Sequence, residues 1–136
     1  MGDSMELAAA FEEVLQSGDF GRISKLLQAY GADDFVNDYP QSGERFSKAG
    51  MERMDATYAL MTGTNPTFTY KRMLGGGDVF VVEGTIDYGD GTPVSYVGIG
   101  EVRDGKVAKM TEYFANPFEA PAWRADYAEG KQPATA

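Results

Sequence analysis

Val79–Ala115 reads VFVVEGTIDYGDGTPVSYVGIGEVRDGKVAKMTEYFA, and this stretch decides the fold. Apolar residues recur at alternate positions, and two Asp-Gly pairs, Asp90-Gly91 and Asp104-Gly105, cut the run into three. A period of two marks half-buried strands, and Asp-Gly between such runs is a strong hairpin signal. The stretch therefore predicts strands over Val79 to Tyr88, Val94 to Arg103 and Val107 to Ala115. Upstream, Thr67 to Leu74 keeps the same period, and Gly75-Gly76-Gly77 turns it into the first of the three. The outcome is an antiparallel four-strand meander.

Before Thr67 the period is helical. Leu7, Phe11, Val14 and Leu15 define one amphipathic helix, stopped by Ser17-Gly18-Asp19. Asp19 is a suitable N-cap for a second, whose apolar side is Phe20, Ile23, Leu26, Leu27 and Tyr30 and which Gly31 ends. Asp33 to Pro40 reads as a short extended segment, with a turn at Pro40-Gln41-Ser42-Gly43. Met51, Met54, Tyr58 and Met61 mark one face of a third helix, closed by Gly63 and Pro66. Helices followed by a meander make an α+β domain, with the helices packed on a curved antiparallel sheet around an apolar pocket. Asn116 to Tyr127, with two prolines and Trp123, is expected to cross an edge of the sheet. One domain over residues 1–136 is expected, with a core at about 6–127 and a polar tail over 128–136.

Composition removes several functions. The chain has no cysteine and no histidine, so thiolate chemistry, disulfides and the commonest metal ligand are absent, and no metal site or cofactor is expected. Acid–base work falls to carboxylates, tyrosines and lysines. A formal charge of −9 with no basic stripe argues against nucleic acid. No apolar run has a membrane-spanning length, and Met1–Glu6 has neither the basic nor the apolar part of a secretory signal. A cytoplasmic location is the expectation. The glycine triplet precedes no helix and is read as a strand connection, not a phosphate loop.

If both Asp-Gly turns are two-residue hairpins, side chains can be assigned to faces. Phe80, Val82, Gly84 and Ile86 then share one face with Ser95, Val97, Ile99 and Glu101, and with Ala108, Met110, Glu112 and Phe114. This apolar face should meet the helices and wall the pocket, with Phe11, Met54 and Trp123 completing the lining. The other face gathers Val79, Val81, Glu83, Thr85 and Asp87 with Val94, Tyr96, Gly98, Gly100 and Val102, and with Val107, Lys109, Thr111 and Tyr113. Its mixed composition suits a homodimer contact. Glu112, flanked by Met110 and Phe114, is the polar residue that stands out. Left without a cation, its pKa would rise by desolvation, as a general acid or base needs; held by an arginine or by backbone amides, it would be structural. Glu101 is read as a partner of Arg72. Tyr39 and Tyr58 offer hydroxyls from the opposite wall.

Gly18-Asp19-Phe20, the segment Ala32 to Pro40, and the run from Asp104-Gly105-Lys106-Val107 through Glu112-Tyr113-Phe114 resemble the NTF2-like superfamily, in particular its SnoaL-like proteins. The resemblance spans about residues 6 to 127. It implies a cone whose curved sheet wraps a small-molecule pocket, and a dimer through the outer sheet face. The superfamily holds ketosteroid isomerases, polyketide cyclases, epoxide hydrolases, dehydratases and non-catalytic binding domains, so fold alone does not fix chemistry. At the positions matching the steroid isomerases' catalytic base, oxyanion tyrosine and oxyanion aspartate stand Tyr39, Phe11 and Ile99, which argues against that reaction. Glu112 is similar in kind to the sheet carboxylate of the cyclases.

Three functions remain at this point. One is a cofactor-free acid–base enzyme of cyclase, isomerase or hydrolase type on an apolar, carbonyl-bearing molecule, with Glu112 carrying the proton and Tyr39 or Tyr58 assisting. Another is a non-catalytic carrier of an apolar ligand. The third is a dimerisation domain whose pocket is incidental, which the apolar pocket face makes the weakest of the three.

Overall fold

The computed structural model describes residues 2–62 and 66–130. Two helices open the chain, α1 over Gly2–Gln16 and α2 over Phe20–Tyr30. Asp19 caps α2, its carboxylate accepting from the Arg22 amide at 3.2 Å. Strands β1 (Gly31–Tyr39) and β2 (Glu44–Ser47) form a hairpin, helix α3 follows over Lys48–Thr62, and β3 (Thr67–Gly76), β4 (Val79–Asp87), β5 (Val94–Arg103) and β6 (Lys106–Ala115) complete the sheet. The expected stop of α3 at Gly63 lies outside the described residues.

The α+β class and the helix-then-meander order hold, but the sheet is mixed. Its order is β2-β1-β6-β5-β4-β3, and β1 runs parallel to β6 while every other pair is antiparallel. The extended segment before Pro40 is thus a sheet strand. Its residues Phe35, Asn37 and Tyr39 alternate inward, and α3 with the meander supplies the long crossover that a parallel neighbour requires.

The hairpin register departs from expectation at both ends of β5. Asp104-Gly105 is the two-residue turn expected: both residues have positive φ (53° and 73°), and Arg103 pairs with Lys106. Asp90-Gly91 is not. The Asp87 carboxylate accepts from the amides of Gly89 (2.7 Å) and Gly91 (3.1 Å), and Pro93 has no N–H to give the ladder. The turn opens into a loop over residues 88–93, and pairing starts at Ile86 and Val94, one residue out of the expected register. A second irregularity compensates. Between Glu101–Lys109 and Val102–Val107 the pairing skips Ala108, a β-bulge. The faces of β4 and most of β6 therefore stand as expected, and β5 is turned over. Val94, Tyr96, Gly98, Gly100 and Val102 face the helices, whereas Val97, Ile99 and Glu101 face outward. Val107, expected outside, is wholly buried.

The core lies between the inner sheet face and the helices. Leu7, Phe11 and Leu15, four residues apart along α1, meet Phe35, Met51, Phe68, Phe80, Val82, Ile86, Val94, Val102, Val107 and Met110. At about 1.5–3 kcal/mol for each large apolar side chain taken from water, this cluster dominates the favourable side of folding. Gly100 belongs to its design: a Cβ there would run into the Phe80 ring that crosses it. Met61, assigned to the inner face of α3, is instead exposed. Residues 115–130 are exposed throughout, with a short 3-10 turn at Ala122–Arg124, so this segment does not pack along a sheet edge as expected.

Candidate functional site

Glu112 projects inward from β6 between Met110 and Phe114, as its sequence position suggested. Opposite it on β5 is Gly98, whose missing side chain leaves the space that the Tyr96 hydroxyl occupies. Tyr96 donates to Glu112 Oε2 at 2.5 Å. From the other side, the parallel pairing of β1 with β6 sets Asn37 beside Met110, and its Nδ2 donates to Glu112 Oε1 at 2.6 Å. Asn37 is fully shielded from solvent. Both carboxylate oxygens are therefore held by uncharged donors. Among the described residues no lysine or arginine lies within ion-pair distance of Glu112. Arg72, expected opposite Glu101, pairs with Glu83 on the outer face, because the true register puts Glu83 in its row.

Burial raises the Glu112 pKa; the bonds from Tyr96 and Asn37 pull it back, and the Asp55 carboxylate raises it further. Asp55, half-buried on α3, is raised by burial, against hydrogen bonds from Ser24 and Gln28 that lower it. Tyr96 is lifted well above the phenolic range, by burial first and then by the Glu112 charge and hydrogen bond. Tyr39 is raised by burial and by Glu112 and Asp55, and Tyr88 by burial, Tyr58 and Glu112. Two carboxylates thus share one weakly solvated region with several tyrosines.

Aromatic rings fill much of that region. Tyr39 meets Phe46 at 4.9 Å and Phe114 at 5.2 Å edge-on, and Tyr96 lies 5.5 Å from Phe114 and 5.6 Å from Phe68. Tyr58 stands against Tyr88 at 6.5 Å. A cavity of about 250 Å³ opens beside this cluster, lined by Tyr88, Asp90, Thr92, Val94, Phe114 and Asn116. A second, of about 220 Å³, lies between α1 and the β3–β4 hairpin, where Glu12, Met73, Leu74 and Phe80 contribute.

The expected lining is only partly assembled. Phe114 lines the first cavity and Phe80 the second. Phe11, Val82, Ile86 and Met110 are close-packed core, and Met54 packs against that core half-buried. Val97, Ile99 and Glu101 are on the outer face because β5 is turned over, and Trp123 is 71% exposed in the C-terminal segment. Of the expected proton carriers, Glu112 and Tyr39 come together and Tyr58 stands further along α3. Three residues of the cluster escaped the sequence reading. Asn37 sits between Phe35 and Tyr39 at alternate positions, the same polar-among-aromatic signal that singled out Glu112. Asp55 lies four residues after Met51 and three before Tyr58, in phase with the inner face of α3. Tyr96 was lost to the register. Among the described residues no set of His, Cys, Asp and Glu is arranged to hold a metal ion. Among the described residues no helix is long and apolar enough to cross a membrane.

The cluster is equipped to accept and return a proton: a desolvated carboxylate, a hydroxyl on one oxygen and an amide on the other. Residues 8–110 match the SnoaL-like domain family. Among solved structures, the chain is similar to an NTF2-like protein of unknown function from Burkholderia xenovorans, at 32% identity over 96% of this chain and 97% of that one, with a TM-score of 0.71. It is also similar to a provisionally assigned ketosteroid isomerase from Kribbella flavida, at 25% identity over 97% and 92% of the two chains, TM-score 0.77. A provisionally assigned polyketide cyclase from Sinorhizobium meliloti, at 16% identity over 79% and 93%, TM-score 0.56, shares the fold. No functionally curated protein matches.

Proposed function

We propose, for a chain that belongs to the SnoaL-like domain family, a cofactor-free acid–base function on a small apolar molecule bearing a carbonyl group. One observation carries this reading: Glu112 is held by Tyr96 and Asn37 with no cation beside it among the described residues, in surroundings that raise its pKa. A carboxylate used only for structure is ordinarily matched with an arginine or lysine, as Asp38 is with Arg45 and Lys109. One without such a partner keeps its proton affinity near the range where it exchanges protons with a substrate. Glu112 serves as the proton acceptor and donor for a proton α to the carbonyl, while the rings of Tyr39, Tyr88 and Phe114 hold the apolar body.

The test is α-proton exchange. The protein is incubated with 2-tetralone in D₂O, and loss of the α-proton signal is followed by NMR. The reading expects exchange above the buffer rate, abolished by Glu112→Gln with the fold intact. No acceleration at any pH from 5 to 9 would count against it. A carrier function is the second reading, supported by the 250 Å³ cavity, whose lining includes Tyr88 and Phe114 but not Glu112. Tetralone that perturbs the Tyr88 and Phe114 resonances without exchanging would favour that reading.

The outer sheet face supports a homodimer as the working form. Val79, Val81, Val97, Ile99 and Tyr113 gather there, with the Glu83–Arg72 and Asp38–Arg45 pairs around them. An apolar centre with a charged rim is the composition of a protein–protein contact.

A further inference from the structure

We infer that Asn37 is a positioning residue that reserves one oxygen of Glu112 as a permanent acceptor, so that the exchangeable proton sits on the other oxygen and passes through the Tyr96 hydroxyl. This rests on the acid–base reading of Glu112 and adds to it the route of the proton.

One atom beside Glu112 is unmatched. Asn37 is fully shielded, and its Oδ1 has no hydrogen-bond partner among the described residues. Buried carbonyls are nearly always paired, so an orphan at this depth calls for a cause. Rotating the amide by half a turn would bring Oδ1 onto Glu112 Oε1, which is 2.6 Å from the nitrogen, oxygen against charged oxygen. The carboxylate therefore fixes the amide with its nitrogen forward, and the orphan carbonyl is the consequence. The same nitrogen lies 3.4 Å from Met51 Sδ, where its second N–H finds a weak acceptor. At this position Asn37 only donates.

A proton cannot rest comfortably on Oε1, because its O–H would face an N–H. Oε2 is different. Its partner is a hydroxyl, which donates or accepts according to how it rotates. A proton leaving a substrate goes to Tyr96 Oη as the Tyr96 O–H proton passes to Glu112 Oε2. Tyr96 ends as it began, Glu112 becomes the acid, and reversal restores both. Tyr96 packs on Phe114, which lines the 250 Å³ cavity, whereas Asn37 is fully shielded. The other ionisable groups whose fields bear on this pair are Tyr39 on β1, Asp55 on α3, and Tyr88 in the loop after β4.

The experiment is a pH titration of the wild-type chain by NMR. It follows the Glu112 carboxyl ¹³C, the Asn37 side-chain ¹H–¹⁵N pair and the Tyr96 ¹³Cζ. The expected result is that Tyr96 Cζ shifts with the Glu112 midpoint while the Asn37 amide keeps its hydrogen-bonded position throughout. In Asn37→Leu, loss of a hydrogen bond to a charged group should raise the Glu112 midpoint by about one to two pH units. An Asn37 amide that reorganises at the Glu112 midpoint, with Tyr96 Cζ unmoved, would place the proton on Oε1 and overturn the inference. An unchanged midpoint in Asn37→Leu would do the same. If that variant does not fold, the wild-type titration still decides. Failure of the tetralone exchange would remove the catalytic reading and leave these titrations as they are.

Discussion

Gly98→Ala separates the register found from the one the hairpin motifs suggest, because the two give opposite signs. With Gly98 on the outer face, a methyl would meet solvent and stabilise the strand by about 0.5–1 kcal/mol, the ordinary advantage of alanine over glycine. In the structure Gly98 faces inward, where a Cβ would collide with the Tyr96 hydroxyl and come within 3.1 Å of Met110 Cε. Its φ is not positive, so sterics alone decide. Overpacking of this kind costs about 1–3 kcal/mol, and moving the hydroxyl off Glu112 forfeits a charge-assisted hydrogen bond of about 1.5–3 kcal/mol. After the backbone gain, a net loss of about 2–5 kcal/mol is expected, a large share of the roughly 5–15 kcal/mol by which domains are stable. Urea unfolding followed by far-UV circular dichroism measures it as a lower midpoint at unchanged slope. A variant as stable as the wild type, or more so, would refute the inward placement of Tyr96 and with it the geometry of the site.

Since burial holds the folded-state pKa of Glu112 above its unfolded value, its stabilising contribution is complete below the ordinary carboxylate range and is lost as pH rises through the raised value. Glu112→Gln should therefore be more stable than wild type at pH 7–8, by thermal unfolding, with the advantage narrowing as pH falls towards 4. Asp19→Ala removes the cap on the Arg22 amide and should cost about 1 kcal/mol in urea unfolding. Ile99→Lys puts a charge in the outer apolar patch and should convert the proposed dimer to a monomer in light scattering without loss of helical signal. On the hairpin-derived faces, where Ile99 is core, it would unfold the chain instead.

Much of the fold was legible because it rests on local, repeated signals. The i, i+4 spacing of Leu7, Phe11 and Leu15, the cap at Asp19 and the alternation through Val79–Ala115 each act within a few residues. What was hidden depends on single events that break a period. The Asp87 carboxylate and Pro93 open one turn, and Ala108 bulges in the next strand. Each shifts register by one, and their cancellation left Glu112 correctly placed while Tyr96 and Val97 exchanged faces. The parallel pairing of β1 with β6 joins segments some seventy residues apart, and no local pattern announces it, so Asn37 was visible as an extended-strand residue but not as a partner of Glu112. The lining expected from apolar residues proved to be core in large part, since composition does not distinguish a wall from a filled interior.

The account stands most directly on the protonation of Glu112 in the wild-type chain. A carboxyl ¹³C titration with selectively labelled glutamate, assigned through Glu112→Gln, gives its midpoint without any substrate. The account predicts a midpoint raised clearly above the ordinary glutamate value of about 4.3, and a further rise in Tyr96→Phe, which removes the donor at Oε2. A midpoint at or below about 4.3 would mean that the site holds a conventional stabilised carboxylate, and Glu112 would not be its proton carrier.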